Sequence, residues 1–205
     1  MPSPDWDKIP SEHSIEVMGN HCLLDALGNP HAWMFCPTTN EEVKLGFDAA
    51  LQGMKSLVIQ YKALHYVYAS GALHVKAPAP QRNALNALCP PIGRPYVFYA
   101  FNRAPTYDAL AFSYAAAPPT FFSQCVFVDV HTVPAATDRF RVTGAIVEAF
   151  DGAALLAPIP TAYTHAQVIA GIQNCTFGLR PQDERPIQPR LAFGQRVTIL
   201  QYPIP

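Results

Sequence analysis

Residues 46–64, GFDAALQGMKSLVIQYKAL, hold two apolar runs around Gln52-Gly53-Met54-Lys55, a break short enough for a β-hairpin. Within those runs stand an acid, an amide and an amine: Asp48, Gln60 and Lys62. With a loop at Gly53 to Lys55, Gln52 pairs with Ser56 and Asp48 lies opposite Gln60. The two-residue strand period then points Lys62 to the same side. A register slip of one residue would break that alignment. Two readings follow: the three side chains form a site, or they are the water-facing side of a half-exposed hairpin.

The flanks decide what kind of sheet this hairpin enters. Upstream, SEHSIEVMGNHCLLDAL (11–27) carries Ile15, Met18 and Cys22 at helical spacing, with Ser11, or Ser14 for a later start, as a cap and Gly28-Asn29-Pro30 as a stop. HAWMFCPTT then reads as a short strand. SLVIQYKALHYVYA reads as one strand, APQRNALNAL as a short helix, and PYVFYAF as a strand buried on both faces. TYDALAFSYAAA predicts a helix and SQCVFVDVHTV a strand. Beyond Pro134 the pattern gives a strand in RFRVTGAIVEAF, a helix capped by Thr164 in THAQVIAGIQN, and a final strand in RLAFGQRVTILQY. Strands mixed with helices in this order predict an α/β or α+β sheet with helices on its faces. The organisation expected is a core over residues 1–133 and an extension over 134–205 packed on the same domain.

Composition narrows the function. The 205 residues are 50% hydrophobic and 14% charged, enough to build a core, and the formal charge of −1 gives no basic excess for nucleic acid. The 21 prolines, many in short clusters, predict short elements and stiff connections. Five cysteines without a C-x-x-C pair fit reduced, packed thiols better than a zinc knuckle or a disulfide framework. No run of about 18 apolar residues and no apolar leader segment occurs, so a cytoplasmic protein with no membrane association is expected. The signatures of serine hydrolases, P-loop proteins and dinucleotide-binding folds are missing.

The order helix, three strands, helix, strand, with Gly46-Phe47-Asp48 on the second strand and Gln60-Tyr61-Lys62 on the third, resembles the PD-(D/E)XK nuclease superfamily. Gln60 stands where most members carry an acid and looks like the Q-x-K variant of the Mrr-type restriction endonucleases. The resemblance covers roughly residues 11–103. It implies a restriction-endonuclease-like αβββαβ core and a metal-dependent nuclease hydrolysing DNA phosphodiester bonds, in restriction or defence. It also implies Mg²⁺ or Mn²⁺ as cofactor and an acid on the first helix, for which Glu16 is the choice and Glu12 the second. Gln81 would be the glutamine that some members place on the following helix.

The chemistry of these residue types is consistent with that implication. Mg²⁺ takes oxygen ligands and activates water. Asp48, the Gln60 amide, the Tyr61 backbone carbonyl and Glu16 would be its ligands, with Lys62 stabilising charge on the phosphate or helping to deprotonate the water. Glu41 and Glu42, just before the hairpin, are alternative third acids or loop residues. Asp129 and His131, at two-residue spacing, and His65 and His74 beside the third strand are weaker ligand candidates. The expected partners are DNA and either a second copy or a protein subunit. The alternative expectation is a catalytically inactive nuclease-fold subunit that serves binding or assembly.

Overall fold

The computed structural model describes residues 8–35, 54–116, 121–160, 162–180 and 198–204. Helix α1, Glu12–Leu27, starts where Ser11 Oγ accepts from the Ser14 amide at 3.2 Å and ends at Gly28, whose φ of 60° is the left-handed cap expected of glycine. Strand β1, Trp33–Phe35, follows. Next among the described residues come β2 (Met54–Lys62), β3 (Leu64–Val67), β4 (Leu73–Lys76), helix α2 (Ala79–Leu88) and β5 (Val97–Asn102). Helix α3, Tyr107–Ala115, is capped by Thr106 and leads to β6, Cys125–Asp129. Then follow β7 (Arg139–Thr143), β8 (Ile146–Asp151), β9 (Ala154–Pro158), β10 (Ala162–Thr164), helix α4 (His165–Gln173) and β11 (Thr198–Pro203).

The strands form two sheets. The first has the order β1-β11-β2-β5-β6-β10, and the second β3-β4-β7-β8-β9. In the first, β2 and β5 run parallel and the other neighbours antiparallel, so this sheet is mixed. The parallel pair requires a crossover, which β3, β4 and α2 supply. The fold is therefore mixed α/β, with two sheets and four helices among the described residues.

Alternation along β2 separates two cores. Leu57, Ile59 and Tyr61 face α1, α3 and α4, where Ile15, Leu23, Leu110, Val168 and Ile172 close an apolar layer. Val58 faces the other way, with Tyr99 and Phe101 of β5, against Val75 and Phe140 of the second sheet and Leu85 of α2. Helices, first sheet and second sheet thus stack as layers.

Two sequence expectations need correction. The run SLVIQYKALHYVYA is not one strand: it ends at Lys62, and after Ala63 the chain enters the second sheet as β3. The expected pairing of Gln52 with Ser56 falls on Gln52, which lies outside the described residues. Ser56 itself lies opposite Gln201 of β11 on one edge and bridges Leu179 on the other. RFRVTGAIVEAF, read as one strand, is the hairpin β7–β8, turning at Gly144 with φ 59°.

Candidate functional site

Lys62 ends β2, and its neighbours come from three elements. Its Nζ donates to Gln81 Oε1 on α2 at 2.7 Å and lies 3.5 Å from Glu12 Oε1 at the start of α1. The same nitrogen stands 5.9 Å from the centre of the Tyr99 ring on β5, within cation–π range. Lys62 is 2% and Gln60 1% exposed, so neither faces water as a half-exposed hairpin would require. Both lie on the second-sheet face of β2 by strand alternation. Burial pulls the Lys62 ammonium below the ordinary lysine value, and the Glu12 carboxylate works in the opposite direction.

Local sequence explains this convergence. Pro78 and Pro80 start α2 directly after β4, and Gln81 falls in the first turn of that helix. Arg82, next to it, is 1% exposed and donates through Nη1 to the Thr137 carbonyl at 2.5 Å and through Nη2 to that of Ala135. This clamp holds α2 to the loop before β7 and so fixes the helix that carries Gln81. Sequence reasoning missed Arg82, because only the fold brings residue 82 to residues 135–137.

The remaining sequence candidates divide. Tyr61 turns its side chain to α1, where Gly19 lets the helix approach the ring, and its backbone pairs with Ala100. Glu16 is buried on α1, 3.7 Å from His13 Nδ1, and Glu12 is the acid that reaches Lys62. Asp48, Glu41 and Glu42 lie outside the described residues. Asp129 and His131 hold each other at 3.3 Å, and His131 Nε2 meets the Cys89 carbonyl at 2.6 Å. Burial opposes the charged form of His131, but Asp129 and that carbonyl prevail and raise its pKa. The pair caps a short turn and fastens α2 to β6. His65 and His74 lie on neighbouring strands of the second sheet, with ring centres 5.4 Å from each other.

The thiols behave as packed groups. Cys22, Cys89 and Cys125 are buried and free, and burial pushes Cys89 and Cys125 up to about 12. No family model, curated protein or solved structure matches this chain. Among the described residues no three His, Cys, Asp or Glu side chains gather as a metal centre. The end of β2 offers the neutral Gln60 amide and the Glu12 carboxylate, and these do not by themselves make a Mg²⁺ site. Nor is any helix among the described residues long and apolar enough to cross a membrane.

Proposed function

We propose that the Lys62 cluster is the phosphate-handling part of a nuclease centre that hydrolyses DNA phosphodiester bonds. One observation carries this reading: the lysine of the Q-x-K strand meets the first-turn glutamine of the next helix at 2.7 Å. A strand residue and a helix residue nineteen positions apart in sequence are thereby brought to one point. In this reading Lys62 stabilises charge developing on the phosphate, Gln81 fixes its Nζ, and Gln60 presents an amide on the same face. The requirement for Mg²⁺ or Mn²⁺ rests on Asp48. A place in restriction or defence, action as a homodimer and a cytoplasmic location belong to the same proposal.

A second reading has its own support. Lys62 is 2% exposed and already engaged by Gln81 and Glu12, as in a nuclease-like subunit that has kept its framework for binding or assembly rather than cutting. Cleavage of supercoiled and linear DNA with Mg²⁺ or Mn²⁺ separates the two. Metal-dependent cutting by the wild type, lost in folded Asp48→Ala and Lys62→Ala, is the expected result. No cutting at any metal concentration, with DNA binding untouched by either substitution, leaves the assembly subunit standing.

A further inference from the structure

We propose that the cleft on the outer face of the second sheet binds a nucleoside monophosphate unit, with its base against His65 and Tyr66 and its phosphate on Lys76 and Arg139. The cleft has a volume of about 480 Å³, within the range of small-molecule sites, and is completed by His74, Pro78 and Asp138. Its floor follows from strand alternation. Leu73 and Val75 of β4 and Phe140 and Val142 of β7 enter the core, which sends His74, Lys76, Arg139 and Arg141 outward. Register then places Tyr66 beside His74 and Lys76 beside Arg139.

His74 is the observation that calls for a ligand. It is 2% exposed, yet neither ring nitrogen has a hydrogen-bond partner among the described residues. Buried polar atoms left in this state are rare and costly. Burial first, then the nearby charges of His65, Arg139 and Lys76, lower its pKa to about 4. The ring is therefore neutral at physiological pH and has one donor and one acceptor to satisfy. The edge of a nucleobase can meet one of these two groups.

The surroundings select the rest of the ligand. Tyr66, 38% exposed, stacks on His74 with centroids 4.3 Å apart, and the exposed His65 ring stands 5.6 Å from Tyr66. Such faces take a flat heteroaromatic ring. Among the described lining residues, Lys76 and Arg139 are set against one acid, Asp138 at 3.3 Å from Arg139, a balance suited to phosphate. The unit can come from a free nucleotide or from a nucleic-acid strand. The site stands whether or not the Lys62 cluster cuts DNA.

The test is titration of the full chain in EDTA with adenosine and thymidine 5′-monophosphates and, separately, with a short single-stranded oligothymidylate. Calorimetry gives the affinity, and NMR of the imidazole nitrogens reports on His74. Saturable binding that shifts the His74 signals is expected. It should weaken about tenfold or more in Lys76→Ala and Arg139→Ala, which alter the exposed Lys76 and the half-buried Arg139, and also in His74→Phe. Saturation by mononucleotides assigns the site to free nucleotides, and saturation by the oligonucleotide alone assigns it to a strand. No saturation by either at millimolar concentration, or unchanged affinity in all three variants, overturns the proposal. Binding is read in EDTA, where no metal-dependent cutting occurs, so absence of cleavage in the separate Mg²⁺ or Mn²⁺ assay with retained nucleotide binding counts against the nuclease reading only.

Discussion

Replacing Lys62 by methionine separates a structural from a functional reason for burying an amine. Taking an ammonium out of water is costly, and an apolar side chain of similar length often leaves stability unchanged or raises it. Glu12, whose side chain is 48% exposed, can return to water when its partner is removed. Lys62→Met is therefore expected to unfold in urea within about 1 kcal/mol of the wild type, or to be more stable. Any DNA cleavage should vanish at the same time. A loss of several kcal/mol would show that the protein keeps Lys62 as a structural part. Lys55 on the helix face of β2 is a contrast: it donates to the Ile172 carbonyl and to Cys175 Sγ at 3.1 Å, and so ties α4 to the sheet.

Helix packing depends on two glycines. A Cβ on Gly19 would fall 2.4 Å from the Tyr61 ring, and one on Gly171 would fall 2.4 Å from Phe177. Gly171→Ala is expected to destabilise the protein by about 1–3 kcal/mol, because Phe177 must move or α4 must lift away. Equilibrium urea unfolding measures this, and an unchanged midpoint would show that the ring relocates freely. The elements legible in the sequence are those fixed by near neighbours. Ser11 and Gly28 bound α1, and Thr164 with Gln167 forms the capping box of α4. The continuous apolar run of β5 also reads correctly. What escaped depends on distant contacts. Nothing local marks the end of β2 at Lys62, since the next strand is equally apolar at Leu64 and departs only to join β4. The turn at Asp151-Gly152 and the short β9, with four of its five residues exposed, gave too weak a pattern to read as a strand. The candidate cluster was half legible: Q-x-K drew attention to Gln60 and Lys62 and the nuclease resemblance to Gln81, whereas the His74 cleft needs strand pairings that local spacing does not encode.

At the scale of the molecule, the order of the first sheet matters most. Strand β11 lies between β1 and β2, and Ile199 and Leu200 enter opposite cores. A chain ending before Thr198 would lose the neighbour of β2 from Met54 to Ile59 and the strand that holds β1. Such a truncation is expected to abolish cooperative thermal unfolding followed by circular dichroism. A sharp transition near that of the wild type would show that the other strands close the sheet unaided. The same arrangement imposes a schedule on biosynthesis. On the ribosome, β2 emerges long before β11, with one backbone edge and its apolar faces waiting for a partner not yet translated. That interval favours stray pairing with other chains. Chaperones that bind nascent chains should therefore stay engaged until β11 is available, and slow codons upstream of residue 198 should lower the soluble yield.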